Sequence, residues 1–122
     1  MHIDQFYEEL HALGRVYVVA YGNHVFAEGR TVLSDPHLGK KYVAYHGGIE
    51  LHITRDPDTQ IVFGEGEGLY SKKYEYWIKL RDADGNDIIR ISLLKPEGSD
   101  DYDAEGLAAY HKLKGLCEGT AN

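Results

Sequence analysis

His52 stands at the centre of Gly48-Ile49-Glu50-Leu51-His52-Ile53-Thr54. Successive residues of a strand point to opposite faces. Ile49, Leu51 and Ile53 therefore make one apolar face, and Glu50, His52 and Thr54 point the other way. A neutral imidazole fixed on a sheet face is a metal ligand or an acid/base group. The chain holds seven histidines and ten tyrosines. His46 and His52 flank one turn, and His24 begins the return of another hairpin whose outgoing strand ends at Tyr21. Imidazole and phenolate both serve as axial ligands of heme iron, so Tyr and His together on a sheet suit a planar, metal-bearing ligand. A plainer reading stands beside this one. Tyrosine favours strands, and Tyr17, Tyr21, Tyr42, Tyr45, Tyr74 and Tyr76 also fit as ordinary sheet residues. His11 and His111 read as helix-surface groups, and His37 reads as a loop residue.

Other chemistries find less support. Gly64-Glu65-Gly66-Glu67-Gly68 has the glycines of a phosphate loop but no Lys-Ser/Thr, no following helix, and acids that would repel phosphate; it reads as a flexible surface loop. Asp82-Ala83-Asp84-Gly85-Asn86-Asp87 starts like a calcium loop. Its glycine comes two positions early and Leu93 stands where the bidentate glutamate belongs, so it reads as a hairpin turn with Gly85 at positive φ. No Gly-x-Ser-x-Gly elbow and no His-Glu-x-x-His helix occur. The twenty acids single out no pair for glycoside chemistry.

A length of 122 residues is enough for one domain, 1–122, with one real core. A hydrophobic share of 43% against 27% charged places the chain with ordinary globular proteins. The formal net charge of −7, with basic pairs only at Lys40-Lys41 and Lys72-Lys73, argues against nucleic acid as a partner. Cys117 is the one cysteine, which rules out a disulfide framework, a Cys-rich zinc site and covalent heme attachment through Cys-x-x-Cys-His. Met1-His2-Ile3-Asp4-Gln5 has no basic or apolar leader character, and no apolar run is long enough to span a bilayer. A cytoplasmic protein without membrane insertion is expected.

The elements that must position these residues follow from periodicity. Ile3, Phe6, Leu10 and Leu13 recur at helical steps over 2–13, with Asp4 as a cap and Gly14 as the stop. Arg15 to Tyr21 and His24 to Glu28 form a hairpin about Gly22-Asn23. Thr31 to Ser34 extends the sheet until Asp35-Pro36 breaks it. Lys41 to His46 pairs with Ile49 to Thr54 across Gly47-Gly48, and Gln60 to Gly64 adds a strand. Glu75 to Arg81 and Asp87 to Leu94 form the strongest hairpin. Asp103 to Glu118 is a closing helix with Leu107, Tyr110, Leu113 and Leu116 on one stripe, weakened by Gly106 and Gly115. The turns are too short for parallel crossovers. The expected class is α+β: a curved antiparallel β-sheet of about seven strands with an N-terminal and a C-terminal helix. One face of such a sheet stays open unless a ligand or a second copy covers it.

In their order and spacing these segments resemble the bacterial heme-utilization superfamily (HemS/ChuX/HutX-like), over roughly residues 8 to 114. The likeness rests on several segments. Leu13-Gly14-Arg15-Val16-Tyr17-Val18-Val19 is a helix end feeding the first strand, and His24-Val25-Phe26-Ala27-Glu28-Gly29 follows a Gly-Asn turn. Gly48-Ile49-Glu50-Leu51-His52-Ile53 looks like the family's Gly-His-Ile strand. Ile78 to Ile91 looks like its Gly-containing hairpin. The resemblance implies a non-covalent heme cofactor, with His52 matching a histidine implicated in heme binding in carrier members. A second implicated histidine falls near Tyr21, which could itself hold ferric iron. His24, His46 and Glu50 would then help shape the pocket, and Arg15, Lys40 and Lys41 would meet the propionates. Heme-degrading members carry Val-His-Gln-Phe-Phe before a helix, where this chain reads Ile3-Asp4-Gln5-Phe6-Tyr7, with His2 close by. The expectation is thus a single-repeat, carrier-type, cytoplasmic heme-binding protein of heme uptake or trafficking, a homodimer. The alternatives are the same fold without a heme site, acting as a structural or interaction protein, and a heme-degrading enzyme.

Overall fold

The structure, a computed structural model, describes residues 2–22, 26–46, 50–67 and 74–119. It opens with helix α1 (Ile3–Glu9), which tightens into a 3-10 turn (Leu10–Leu13). Gly14, at φ 72°, stops the turn in a conformation that suits a residue without Cβ. Strands β1 (Arg15–Tyr21) and β2 (Phe26–Val32) follow, then a two-residue β3 (His37–Leu38), β4 (Tyr42–Tyr45), β5 (Leu51–Thr54), β6 (Gln60–Glu67), β7 (Tyr74–Arg81), β8 (Asp87–Leu93) and helix α2 (Ala104–Gly119). All the strand pairs are antiparallel. The class is the expected α+β, but the strands divide between two sheets: five in the order β2-β1-β8-β7-β6, and three in the order β3-β4-β5. No described helix is long and apolar enough to cross a membrane.

One apolar core joins both sheets and both helices. Phe6 enters it from α1, Leu10 from the 3-10 turn, and Val16, Val18, Ile89 and Ile91 from the middle of the large sheet. Val43, Tyr45, Leu51 and Ile53 enter from the small sheet, and Tyr110 and Leu113 from α2. On β1, β5 and β8 the buried positions are alternate residues, so the period-two pattern is what the packing uses, whereas on β4 the three consecutive residues Val43, Ala44 and Tyr45 are all buried. The expected α2 stripe holds for Tyr110 and Leu113, whereas Leu116 is exposed. The Asp103 carboxylate accepts the backbone N–H of Gly106 and caps α2. Gly106 has a packing reason: a Cβ there would lie 2.9 Å from the carbonyl oxygen of Leu13.

Three expectations change. Gly64 to Gly68, read as a flexible loop, is strand through Glu67, with Gly64 opposite Trp77 and Gly66 opposite Glu75. The cause lies across the ladder: a Cβ on Gly64 would run into the Trp77 indole, 2.5 Å from its Cε2, so only glycine lets that ring lie against the strand. His37, read as a loop residue, is in β3. Asp4 does not cap α1. His2 does so, its Nδ1 accepting the Asp4 backbone N–H at 3.2 Å, while the Asp4 carboxylate accepts from the Arg55 guanidinium at 2.7 Å. The Asp82–Asn86 hairpin turn forms as expected. The Asp82 carboxylate accepts the backbone N–H of Asp84 and of Asn86, which holds it below the usual carboxylate range, and Gly85 sits at φ 87°.

Candidate functional site: a histidine face on the small sheet

Burial of Leu51 and Ile53 forces the intervening His52 outward, as the alternation predicts. In β4 the register places Ala44 opposite His52, and in β3 it places His37 opposite Ala44. Residues directly opposite one another share a face, so His37, Ala44 and His52 form one row across the small sheet. Two strand spacings separate the outer pair, about 10 Å between backbones. Small Ala44 leaves low ground between the two imidazoles. Tyr42 lies on the same face two residues before Ala44, its ring 6.2 Å from that of His52. His46 follows the end of β4, with its ring 6.1 Å from His52 and nearly perpendicular to it.

Glu50 ties this group together. Its Oε1 lies 3.2 Å from His52 Nε2 and 3.4 Å from His46 Nδ1. The His46 and His52 side chains are 58% and 50% exposed, so a ligand can reach either ring. Three of the five residues singled out from the sequence (His46, Glu50 and His52) are therefore in one place. Tyr21 is elsewhere: it ends β1 in the large sheet, opposite Phe26, and is exposed. No hydrogen bond or ring contact among the described residues joins it to the histidine face. His24 lies outside the described residues. Lys40 and Lys41 precede β4, at the end of the strand remote from His46, and Arg15 opens β1.

Two members of the face, His37 and Tyr42, were not among the site residues picked from the sequence. A two-residue strand has no periodicity to read, so nothing local marks His37 as facing the way His52 does. Tyr42 had a usable signal. It precedes Ala44 by two and His46 by four, the spacing of one strand face.

The donor chemistry narrows what this face can hold. No group of three or more His, Cys, Asp or Glu among the described residues converges as a site for a free metal ion. Half-exposed imidazoles on an open face suit an iron whose other positions are filled by a macrocycle. Tyr42 supplies an aromatic edge beside them. The residues present therefore fit a heme. Two open clefts of about 420 and 400 Å3 lie away from this face. His2, Ile3 and Pro57 line both, joined by Thr59, Ile61 and Cys117 in one and by Asp4, Tyr7, Lys40, Arg55 and Asp56 in the other.

The buried Tyr45 and Tyr110 have structural partners. Tyr45 donates its hydroxyl to the Tyr7 carbonyl at 2.6 Å, and Tyr110 donates to the Gly64 carbonyl at 2.8 Å. Burial raises both phenols well above their ordinary range, and raises Tyr7 to about 12.

No protein-family model matches the sequence, and no curated protein matches it. Solved structures do. The chain superposes on two structures of ChuX, one of them described as the heme-binding protein ChuX, each with a TM-score of 0.76 at 18% identity. The matches cover 94% and 96% of this chain and 72% of ChuX. A protein from Agrobacterium tumefaciens matches with a TM-score of 0.73 at 18% identity, over 92% of this chain and 64% of that one. One from Erwinia carotovora matches with 0.74 at 19% identity, over 92% and 69%. The helix–antiparallel sheet–helix order, the two sheets and their shared core are thus those of a ChuX-like fold.

Proposed function

We propose that this chain is a heme-binding protein of heme uptake or intracellular heme trafficking, and that heme docks on the face bearing His37, Tyr42, His46 and His52. The observation that carries the reading is the pairing of a ChuX-like fold with two half-exposed imidazoles bridged by one carboxylate. An axial imidazole would supply the protein's bond to iron, and the Tyr42 ring would give the macrocycle apolar contact. His52 and Tyr21 are the ligands to which the sequence points. Tyr21 belongs to this site only if a second protomer brings it there. The face is open, so a second copy of the chain is the natural cover for the far side of the heme, and a homodimer is part of the proposal. The protein acts in the cytoplasm as one domain, without nucleic acid and without membrane insertion.

A carrier is favoured over a heme-degrading enzyme by one contact. Asp4 stands where degrading members of the resembling family place a histidine, and its carboxylate is engaged by Arg55 at 2.7 Å. Titration of the purified protein with hemin tests the reading. A saturable Soret shift, abolished in the His46→Ala/His52→Ala double variant and persistent when a reductant is added, is expected. Absence of the shift, or its survival in the double variant, overturns the proposal. Bleaching under reductant would move the chain to the enzyme class.

A further inference from the structure

We infer that the two clefts beside α1 together bind a small zwitterion, an α-amino acid with an apolar side chain, independently of heme. One buried hydroxyl in the molecule has nothing to bond. Among the described residues three tyrosines are buried, Tyr7, Tyr45 and Tyr110. Tyr45 and Tyr110 each donate to a backbone carbonyl. Tyr7 is as deeply buried, and its hydroxyl has no hydrogen-bond partner among the described residues. A buried polar atom left unpaired costs free energy, so such atoms mark places where a water, an ion or a ligand belongs. Tyr7 lines the cleft of about 400 Å3 with Asp4, Lys40, Arg55 and Asp56. The charges that act on its phenol are those of Asp4, Arg55 and Asp56, so the hydroxyl end of the ring is the end turned toward the cleft.

The charged groups around that hydroxyl select the class of ligand. Arg55 donates to the Asp4 carboxylate and to the Gly39 carbonyl. These bonds hold the guanidinium in place, and it has further N–H groups to offer. Lys40 is exposed at the same cleft. Asp56 accepts the Asp58 backbone N–H with Oδ1, and its Oδ2 has no hydrogen bond among the described residues. The cations Lys40 and Arg55 thus offset the carboxylates Asp4 and Asp56. A free anion or a free cation gains little from such a field, whereas a molecule with both a carboxylate and an ammonium meets both signs. Its carboxylate accepts from the Tyr7 hydroxyl, Arg55 and Lys40, and its ammonium donates to Asp56. The side chain has its own place. The cleft of about 420 Å3 shares Ile3 and Pro57 with the first and continues to Ile61 and Cys117. An apolar side chain laid across Ile3 and Pro57 toward Ile61 leaves water. Each cleft is at the small end of the range for ligand sites, about 300–1,000 Å3, as an amino acid requires.

L-Leucine is the probe, titrated into the isotope-labelled full chain and followed in amide NMR spectra. Saturable shifts are expected at the amides of Asp4, Tyr7, Asp56 and Cys117. Isocaproate is leucine without its amino group, and isoamylamine is leucine without its carboxylate. Each is expected to bind about tenfold more weakly than leucine, or worse, since each leaves one sign of charge unmet. Tyr7→Phe keeps the ring, and circular dichroism checks its fold. It is expected to bind L-leucine about tenfold more weakly, the worth of one hydrogen bond to a charged group. Asp56→Asn is expected to lose the preference for leucine over isocaproate. No saturable shift at the cleft overturns the site. Equal affinity for leucine and either half-molecule, or an unaltered preference in Asp56→Asn, overturns the zwitterion. Unchanged affinity in Tyr7→Phe overturns the role of the hydroxyl and leaves an ordered water as its partner. Hemin titration decides the heme reading separately, so neither result prejudges the other.

Discussion

Tyr45 and Tyr42 lie three residues apart on one strand and do different work. Tyr45 points into the core, is fully buried, and donates to the Tyr7 carbonyl. Tyr42 points out, is half-exposed, and sets its ring edge against His52. The same contrast separates two regions of the molecule. Between the large sheet and α2, Tyr110 packs against Phe63 and Tyr76, and its hydroxyl is satisfied by backbone carbonyls. On the outer face of the small sheet, the rings of Tyr42, His46 and His52 lie against one another and, for the two histidines, beside the Glu50 carboxylate. The tyrosines thus sit in contrasting settings: Tyr45 and Tyr110 satisfy buried backbone carbonyls, and Tyr42 borders imidazoles that remain open to a ligand.

The largest effect should come from the interior population. Tyr110→Ala removes a buried ring and both of its hydrogen bonds, and should lower stability by about 3–5 kcal/mol in urea denaturation. A loss below about 1 kcal/mol would mean that the α2 contact is not part of the cooperative core. Next comes a matched pair on β4. Tyr45→Phe leaves the Tyr7 carbonyl buried without its donor and should cost about 1–3 kcal/mol. Tyr42→Phe should stay within about 0.5 kcal/mol, since it touches no buried partner. Equal losses in the two would mean that the inward and outward tyrosines of β4 do not differ in role.

Alkaline titration sharpens the same contrast. Tyr7, Tyr45 and Tyr110 keep their protons in the fold to higher pH than in the unfolded chain, chiefly because burial disfavours the phenolate. Above the ordinary tyrosine value of 10.0 the unfolded chain releases those protons and the fold does not, so the unfolded state is favoured. Stability should be at its full value below pH 10.0 and should fall as pH rises toward about 12, where Tyr7 ionises in the fold. Phenolate absorbance and circular dichroism followed together should change in step. Ionisation of these phenols near pH 10.0 without unfolding would contradict their burial. The smallest effect is reserved for His37→Ala, which should alter stability by less than about 0.5 kcal/mol because its side chain faces solvent. Hemin affinity of that variant reports whether the β3 side of the face touches the ligand.

Much of this was legible where the signal is local. Alternation found β1, β7 and β8, the helical stripe found Tyr110 and Leu113, and Asp82 with Gly85 marked the hairpin turn. The outward direction of His52 followed from Leu51 and Ile53 alone. What escaped depends on distant residues. Gly64 and Gly66 have poor strand propensity, and Trp77 on the neighbouring strand explains why glycine belongs at position 64. Asp4 looked like a cap because its partner, Arg55, is fifty-one residues away in the chain. His37 entered the site through pairing with Ala44, which a two-residue strand does not announce. The division into two sheets likewise comes from pairing between strands, not from any one strand's pattern.

Trp77 has a use beyond packing. It is the chain's one tryptophan, lodged against Gly64 with the Arg90 guanidinium 4.9 Å from its ring centre. It belongs to the large sheet, whereas the histidine face belongs to the small one. The protein thus carries a built-in optical ruler. Indole emission overlaps heme absorption, so energy transfer from Trp77 to a bound heme would convert residual fluorescence into a separation, with no label to attach and no residue of the face to alter.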